Sequence, residues 1–598
     1  MNSRHDDRSS LAVKSWVRAL ERTAPISREP LTTLPVVVQR LAVDRGDAPA
    51  LVDVDGQLSF NALSAQANRY SRWAIGEGIR DGDVVCLMMG NCAEYLAIWL
   101  GITRIGGTVA LINTHLTGEA LAHSLRIVAP KHVVLGSEFV AAVGSVRNRL
   151  PSGARIWVRG PSAGDAAPLD AAVGTHSGEP LEEGSFAPPS LDSRALYIYT
   201  SGTTGLPKAA NVSHYRLMQW SYWFAGLLDT QPIDRMFNCL PLYHSVGGIV
   251  ATGATLVGGG AVVIRPRFTA SGFWRDVRDE RCTLFQYIGE LCRYLTNSPP
   301  TDGERAHQLR IACGNGLRPE VWRVFQQRFG IPRILEYYAS TEGNFSLYNC
   351  EGEPGAIGRI PGFLAHRLPI AIVRHDAESG EPVRNSEGFC ERCATDEPGE
   401  AIGRIPAGSD ARVGAFEGYA DAAATSQKVL RNVFERGDAW YRTGDLMRRD
   451  QRGFFYFVDR VGDTYRWKGE NVSTAEVWTA IADSRGVVEG VVYGVAVPGS
   501  DGRAGMTALV VTDEFELAAL YRDVAERLPE YARPVFVRLL SSLELTATFK
   551  PRKQDLLRDG FNPALSSDAL YVADRTAGSY VRLDAELYAQ IATGRTRL

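Results

Sequence analysis

The chain carries, at residues 199–208, the run Tyr199-Thr200-Ser201-Gly202-Thr203-Thr204-Gly205-Leu206-Pro207-Lys208. It directly follows Ala195-Leu196-Tyr197-Ile198, an apolar run typical of a short buried strand. Glycines let backbone N–H groups turn toward an anion, hydroxyl side chains donate further hydrogen bonds, and a lysine adds positive charge. The run therefore predicts a phosphate-binding loop rather than a plain surface turn. It is not the Walker type, because no Gly-Lys-Ser/Thr ends the motif.

Length and composition set the class of protein. A chain of 598 residues with 45% hydrophobic and 22% charged residues predicts a globular protein of more than one domain. The net charge of −3 gives no sign of nucleic-acid binding, so no nucleic-acid partner is expected. Nine scattered cysteines indicate a reducing compartment, and the single C-x-x-C at Cys390 and Cys393 favours neither a zinc site nor a redox pair.

Targeting signals are not evident in this sequence. The first ten residues are polar and charged, unlike a signal peptide. The longest uncharged run, residues 246–264, is broken by glycines, which predicts a buried helix, a Gly turn and a strand at 261–264 rather than a membrane span. The predicted location is cytoplasmic, with peripheral contact at the inner face of the cell membrane left open.

The order of apolar and amphipathic runs predicts an α/β fold. Strand-like residues 50–54 precede a helical pattern at 61–74, and strand-like residues 83–89 precede another at 94–101. Such alternation is typical of βαβ units with parallel strands. Residues 160–192 are rich in Gly, Pro, Ala and Ser and predict a surface excursion before the phosphate-binding loop.

A domain boundary is predicted near residue 460. A strand at 453–458 leads into the polar turn Asp459-Arg460-Val461-Gly462-Asp463, and the chain beyond has its own strands and a helix at 516–527. We therefore expect an N-terminal extension (1–33), a large α/β domain of βαβ-type sheets with packed helices and a small β subdomain (34–459), and a small mobile α+β C-terminal domain (460–598).

Four further motifs follow the loop in sequence. They are Leu240-Pro241-Leu242-Tyr243-His244-Ser245, Ala312-Cys313-Gly314-Asn315-Gly316-Leu317-Arg318, Glu336-Tyr337-Tyr338-Ala339-Ser340-Thr341-Glu342-Gly343 and Tyr441-Arg442-Thr443-Gly444-Asp445-Leu446. The third motif follows a predicted strand at 333–335. Taken alone, the first could hold a structural histidine, the second a βα turn and the fourth a plain turn. In this order, the five motifs resemble the adenylate-forming superfamily, which includes acyl-CoA synthetases, luciferases and the adenylation domains of peptide synthetases.

The resemblance implies roles for individual residues. It implies ATP as a substrate, Mg²⁺ on the phosphates, and CoA as co-substrate. An aromatic ring can stack on adenine, a threonine can meet a phosphate, and an ionised carboxylate accepts hydrogen bonds from a ribose diol. The implied catalytic residues are Lys550, Glu342, Thr200 and His244, with Glu342 and Thr200 also as metal ligands. The implied cofactor-binding residues are Thr200, Ser201, Gly202, Thr203, Thr204, Gly205, Lys208, Gly314, Asn315, Gly316, Tyr338, Ala339, Thr341, Asp445, Arg460, Lys468 and Gly469.

The branch of the superfamily is indicated by later residues. Arg466-Trp467-Lys468-Gly469-Glu470-Asn471-Val472-Ser473-Thr474 resembles the fatty acid transport protein and very-long-chain acyl-CoA synthetase group, and so do residues 286–295, 502–506 and 528–534. The chain departs from the common superfamily pattern in three places: Ala339 and Phe549 stand where many members have Gly, and Gly462 stands where many have Asp or Lys. The Phe549 departure leaves Lys553 as the alternative to Lys550.

The resemblance implies a long-chain fatty acyl-CoA synthetase that works in two steps through acyl-AMP, with rotation of the C-terminal domain exchanging Lys550 for Gly469 between steps. A glycine at 469 would leave room for the pantetheine arm of CoA. Among enzymes, the alternatives are an acyl-AMP ligase serving a carrier protein and a luciferase-like oxidase. Outside that class they are a fatty acid uptake protein with secondary activation activity and a catalytically silent binder, and the intact motifs argue against the silent binder.

Overall fold

The computed structural model describes residues 2–161, 166–182, 184–200, 206–376, 379–407, 414–461, 463–467, 470–498, 502–544 and 553–596. The chain divides into two compact units. Unit 1 comprises Met1–Leu368 and Arg404–Leu430, and unit 2 comprises Pro369–Gly403 and Arg431–Leu598. The predicted domain limits at 33/34 and 459/460 are not tested by this division and stay predictions.

Unit 1 is built on two sheets covered by helices. Its strands are β1 (Pro49–Val52), β2 (Gln57–Ser59), β3 (Val84–Met88), β4 (Thr108–Leu111), β5 (His132–Gly136), β6 (Arg155–Arg159), β7 (Ala167–Pro168), β8 (Arg194–Thr200), β9 (Lys208–Ser213), β10 (Arg235–Asn238), β11 (Ala261–Ile264), β12 (Leu284–Ile288), β13 (Ile311–Asn315), β14 (Ile334–Ala339) and β15 (Ser346–Asn349). Its helices are α1 (Asn2–Thr23), α2 (Leu34–Arg45), α3 (Phe60–Gly76), α4 (Ala93–Arg104), α5 (Gly118–Arg126), α6 (Val140–Gly144), α7 (Leu169–Gly174), α8 (His214–Leu228), α9 (Thr252–Leu256), α10 (Ala270–Asp279), α11 (Gly289–Asn297), α12 (Pro319–Phe329) and α13 (Ala422–Ser426).

Both sheets are mainly parallel, as the alternating pattern predicts. The eight-stranded sheet has the order β15-β14-β13-β12-β10-β11-β1-β2, with antiparallel pairs only at its two edges. The seven-stranded sheet has the order β7-β6-β5-β3-β4-β8-β9, and β8 and β9 form its antiparallel edge. Thr200 and Lys208, near the two ends of the phosphate-loop motif, therefore lie on paired neighbouring strands.

The local predictions are largely confirmed, with two corrections. The strand predicted at 333–335 runs on to Ala339 in β14, so part of the Glu336–Gly343 motif lies in a strand. The excursion at 160–192 includes α7, whose Leu169 and Val173 are buried. The glycine-rich run begins with a π-helix, Val246–Ala251, which continues into α9, and the predicted strand follows as β11.

The N-terminal helix packs into unit 1. In α1, Ala12, Trp16 and Ala19 are buried, and they share one apolar cluster with Phe224 of α8 and Tyr348 of β15. The Trp16 ring lies 5.6 Å from that of Tyr348, edge to face. This i, i+4, i+7 spacing puts the three residues on one helix face, so α1 supplies part of the core.

Unit 2 contains a β-sheet region followed by an α+β region. Its strands are β16 (Ile370–Val373), β17 (His375–Asp376), β18 (Glu381–Pro382), β19 (Gly399–Arg404), β20 (Val429–Arg431), β21 (Ala439–Arg449), β22 (Phe455–Arg460), β23 (Tyr465–Trp467), β24 (Glu470–Val472), β25 (Val487–Ala496), β26 (Arg503–Val511), β27 (Phe536–Leu540), β28 (Ala569–Asp574) and β29 (Ser579–Arg582). Its helices are α14 (Thr474–Ala482), α15 (Leu517–Arg527), α16 (Gln554–Asp559) and α17 (Ala585–Ala592). One five-stranded sheet joins β16, β19, β21, β20 and β22, and a second has the order β25-β26-β27-β28-β29.

Candidate active site

The two ends of the phosphate-loop motif face each other across paired strands. Thr200, the last residue of β8, is the register partner of Lys208, the first residue of β9. Strand pairing therefore holds these two residues side by side. The predicted phosphate-binding residues Ser201, Gly202, Thr203, Thr204 and Gly205 lie outside the described residues.

A tyrosine–glutamate pair lies beside these strand ends. The Tyr419 hydroxyl donates to Glu342 Oε1 at 2.7 Å, and both side chains are buried. Burial, followed by the Glu342 carboxylate, raises the pKa of Tyr419 well above its ordinary value, while a hydrogen bond with the Thr200 side chain lowers it. The Lys208 ammonium lies 5.7 Å from the centre of the Tyr419 ring. The structure thus brings together three predicted site residues: Thr200, Lys208 and Glu342.

Tyr419 is the residue that sequence reasoning missed. It comes from a segment that extends the seven-stranded sheet: it bridges to Ala210 of β9, and the Asn211 N–H donates to the Gly418 carbonyl at 3.0 Å. Gly418 has a φ of +66°, a left-handed conformation that favours glycine. A Gly-Tyr pair in a loop is a weak signal in sequence, because only the bridge to β9 brings this ring near Glu342.

The predicted glycine turn follows β13 and is organised by a buried carboxyl group. Glu336 Oε1 accepts from the Leu317 N–H at 3.0 Å, and Oε2 accepts from the Tyr287 hydroxyl. Burial raises the pKa of Glu336 to about 8, so the group favours its neutral form at pH 7. Gly316 has a φ of +78°, and a Cβ on Gly314 would lie 2.2 Å from the Tyr287 carbonyl oxygen. Gly314, which lies within β13, and Gly316, which follows the strand, therefore both disfavour a side chain.

The remaining predicted residues of unit 1 lie in or just after β13 and β14 and in the segment before the π-helix. Thr341 lies within 3.1 Å of the Ser245 hydroxyl, which joins the third motif to the Tyr243-His244-Ser245 motif. The backbone carbonyl of His244 accepts from the Gly248 N–H at 2.7 Å, at the start of the π-helix. Tyr338 packs edge-on against Phe345, with ring centres 5.6 Å apart. Asn315 ends β13, and Ala339 ends β14.

In unit 2, the predicted ribose-binding residues are neighbours. Asp445 of β21 pairs with Arg460 of β22, with Oδ1 and Nε 3.6 Å apart. The residues just before Asp445 lie within β21 and not in a turn. They are held by Glu400, a fully buried carboxylate that accepts from the Gly444 N–H and pairs with Arg442 at 2.8 Å. A buried carboxylate with this set of donors fixes the backbone that presents Asp445.

The structure also describes Lys553, the alternative to Lys550. Lys553 forms an ion pair with Asp463, with Nζ and Oδ2 3.2 Å apart. The predicted site residues Lys468, Gly469 and Lys550, and the turn residue Gly462, lie outside the described residues.

Comparison with known proteins identifies the family. The model of the AMP-binding enzyme family matches residues 38–400, and that of its C-terminal domain matches residues 476–550. Long-chain fatty acid transport protein 1 of Mus musculus is 39% identical over 572 residues, which cover 94% of this chain and 88% of that protein. The medium/long-chain-fatty-acid–CoA ligase FadD6 of Mycobacterium tuberculosis is 38% identical over 566 residues, covering 94% of this chain and 91% of that protein. The chain belongs to the AMP-binding (adenylate-forming) enzyme family, in the group of the long-chain fatty acid transport proteins.

Solved structures share the fold. The anthranilate CoA ligase AuaEII, in complex with anthranoyl-AMP, has a TM-score of 0.75 at 21% identity, covering 90% of this chain and 98% of that chain. ATP-bound MatB from Rhodopseudomonas palustris has a TM-score of 0.73 at 23% identity, covering 88% and 99%. These similarities confirm the predicted fold class. Within the part of the chain that the structure describes, no helix has both the length and the apolar character to cross a membrane.

Proposed function

We propose that this enzyme is an ATP-dependent long-chain fatty acyl-CoA synthetase. In the first step, a carboxylate oxygen of the fatty acid attacks the α-phosphorus of ATP, the bond to the bridging oxygen breaks, and pyrophosphate leaves. In the second step, the CoA thiol loses its proton, its sulfur attacks the acyl carbon, and AMP leaves. The observation that carries the proposal is the arrangement of Tyr419, Glu342 and Lys208 beside the phosphate loop.

The residues around Glu342 fit a magnesium ion bound to substrate phosphates. Glu342 offers a carboxylate, and Thr200 offers a hydroxyl, both oxygen donors of the kind Mg²⁺ takes. No cluster of three or more His, Cys, Asp or Glu side chains suited to a metal is found among the described residues. One carboxylate plus phosphate oxygens is a usual way to hold Mg²⁺. When bound, the ion would neutralise phosphate charge.

Side chains of the protein would bind the substrates and stabilise the charge that develops during the reaction. Lys208 adds a positive charge at the edge of the phosphate loop, and Lys550 stabilises charge that develops on the α-phosphoryl oxygens. Tyr338 stacks on adenine, with Gly314, Asn315, Gly316, Ala339 and Thr341 around it, and His244 lies near the fatty acid carboxylate. In unit 2, Asp445 and Arg460 bind the ribose hydroxyls. Lys468 and Gly469 serve the CoA-dependent step.

The substrate class follows from the relatives. The names of the mouse and mycobacterial relatives specify long-chain and medium/long-chain fatty acids. Each buried methylene contributes roughly 0.8 kcal/mol, so we expect preference for acids of about 14 to 20 carbons over acetate. A competition assay across acyl chains would measure this preference, and a preference for acetate or an aromatic acid would contradict it.

The function is tested by following pyrophosphate and thioester together. Pyrophosphate release should require fatty acid, ATP and Mg²⁺, and acyl-CoA should form when CoA is added. If acyl-AMP accumulates and CoA is never acylated, the synthetase proposal is wrong and a carrier-protein ligase is favoured instead.

A second candidate, fatty acid uptake, is favoured by the name of the mouse relative, a transport protein. In that case activation would be secondary. Uptake and acyl-CoA synthesis are separated by expressing the Lys550→Ala variant in cells and measuring the import of labelled fatty acid. Import that persists without adenylation would support uptake as an activity of its own.

A further inference from the structure

Arg216 is a buried arginine near the start of α8. The residue is 5% exposed, and it follows the helix N-cap Ser213, whose hydroxyl accepts from the Arg216 N–H at 3.1 Å. Its side chain contacts two separate chain segments, residues 341–343 and residues 415–417. We call this set of contacts the Arg216 clamp.

The first segment held by the clamp contains Glu342. Arg216 Nη1 donates to the Thr341 carbonyl at 2.8 Å and to the Gly343 carbonyl at 3.2 Å. These two carbonyls flank Glu342 on either side. The guanidinium group therefore fixes the backbone on both sides of the residue that carries the buried carboxylate.

The second segment leads into Tyr419. Arg216 Nη2 donates to the Ala415 carbonyl at 2.5 Å, and Nε lies 3.4 Å from Glu417 Oε1. Glu417 also accepts from the Ser213 hydroxyl at 2.6 Å and from the Ser213 N–H at 2.7 Å. Because Tyr419 is two residues further on, the same arginine anchors the chain that brings its hydroxyl to Glu342.

The chemistry of the clamp requires an arginine. A guanidinium group presents five donors in a flat fork, whereas a lysine ammonium is a compact point charge on a flexible stem. The fork reaches two segments at once, and the carboxylate of Glu417 balances the charge of the buried guanidinium group. A lysine at 216 could keep the charge but could not reproduce the fork.

We propose that Arg216 is a positioning residue for the Glu342–Tyr419 pair, and that through this pair it sets the affinity for metal-bound ATP. This role rests on the proposed function, because the proposed function is what assigns a magnesium ion to the Glu342 carboxylate. In this proposal Arg216 acts through the backbone on either side of Glu342 and through the segment before Tyr419, without contacting substrate or metal itself.

The experiment compares Arg216→Lys with Arg310→Lys. Arg310 is a suitable control because it grips the other end of α8 in a similar way: Nη1 and Nη2 donate to the Leu228 and Asp229 carbonyls at 2.8 and 2.9 Å, and Nε pairs with Asp234. Both variants should lower the melting temperature. Only Arg216→Lys should raise the dissociation constant of the protein for the Mn²⁺–ATP complex, measured by electron paramagnetic resonance, by about tenfold.

Activity supplies the second readout. In ATP–pyrophosphate exchange, Arg216→Lys should raise the Mg²⁺ concentration for half-maximal rate by a similar factor, whereas Arg310→Lys should leave it unchanged. Should Arg216→Lys fail to fold, Glu417→Gln takes its place, because it removes the charge that faces Arg216 and keeps the size of the side chain. Its expected effect has the same direction and a smaller size.

The outcomes separate this inference from the proposed function. If the wild-type protein binds no Mn²⁺–ATP, the proposed function fails. If the wild-type protein binds Mn²⁺–ATP and both arginine variants bind it equally well, Arg216 has only a structural role and the inference is overturned. Equal weakening by Arg310→Lys and Arg216→Lys would overturn it too, since the effect would then come from α8 as a whole.

Discussion

The carboxylate of Asp463 lies 3.2 Å from the ammonium of Lys553, and this ion pair joins the polar turn after β22 to the segment just before α16. Asp463 belongs to the polar turn at the predicted domain boundary. Lys553 is the alternative to Lys550 for adenylation that the Phe549 departure leaves open. Because Lys553 already has a carboxylate partner within unit 2, the pairing supports Lys550 as the residue that meets the α-phosphate.

Lys550→Ala should therefore slow acyl-AMP formation by about 10²–10³, the effect of losing one preorganised contact to the transition state. Conversion of supplied acyl-AMP and CoA to thioester should be largely unaffected. The control is Lys553→Ala, which breaks the ion pair with Asp463 and should change adenylation far less. Single-turnover assays of each half-reaction measure both effects. If Lys553→Ala carries the adenylation defect instead, the assignment across the Phe549 departure is wrong.

Gly469→Leu completes the comparison of half-reactions. A leucine side chain would occupy the space proposed for the pantetheine arm, so thioester formation should fall while adenylation continues. Single-turnover assays of the two half-reactions measure this effect as well. Should Lys550→Ala and Gly469→Leu each damage both half-reactions equally, the division of labour between these residues has to be abandoned.

Asp445→Ala should weaken ATP binding without unfolding the chain. Each hydrogen bond to a charged group is worth roughly 1.5–3 kcal/mol, so loss of one raises the ATP dissociation constant by about 10- to 100-fold. Asp396→Ala is a matched control, because Asp396 forms an exposed ion pair with Arg448 of the same strand, β21. Calorimetric titration with ATP gives both constants, and an unchanged value for Asp445→Ala would remove this residue from the ribose site.

Tyr419→Phe tests the buried pair in unit 1. The change removes only the hydroxyl that donates to Glu342 at 2.7 Å, and a hydrogen bond to a charged acceptor is worth about 1.5–3 kcal/mol. We expect the Mg²⁺ requirement of pyrophosphate release to rise about tenfold. Tyr580→Phe is the control, since it removes a buried hydroxyl bonded to the Pro534 carbonyl at 2.9 Å in unit 2. An identical Mg²⁺ response in the two variants would mean that Tyr419 does not act through Glu342.

Glu336 should make stability fall as pH rises. Its folded-state pKa of about 8 lies above the ordinary value of 4.5, so between these two pH values the folded chain holds a proton that the unfolded chain has lost. In that window the free energy of unfolding decreases by up to about 1.4 kcal/mol per pH unit. Below this window the stability is undiminished, and above it the loss is complete.

Glu336→Gln should remove this pH dependence, because an amide does not titrate. The measurement is the difference in urea midpoint between Glu336→Gln and the wild type at pH 6 and pH 8.5, which cancels the titration of other groups. The urea midpoint of Glu336→Gln, relative to that of the wild type, should be higher at pH 8.5 than at pH 6. A difference that does not change with pH would show that Glu336 is ionised in the folded state at both values.

Several parts of the fold could be predicted because their signals are local. The helix observed as α3 and the strand observed as β3 follow from apolar periodicity, and the turn after β13 follows from closely spaced glycines. The end of β14 was predicted wrongly at Leu335. The polar Glu336 ordinarily signals the end of a buried strand, but here the Tyr287 hydroxyl and the Leu317 N–H satisfy it inside the core.

Sequence alone determined the class of the protein and the residue types of the phosphate, adenine and ribose motifs, because each motif is a short run whose chemistry depends on neighbouring residues. Only the tertiary structure decided which distant residues act together. Tyr419 reaches Glu342 through an added edge on β9, and Arg216 reaches both of their segments from the start of α8. Such contacts depend on strand order and helix packing across the whole of unit 1, which no local spacing specifies.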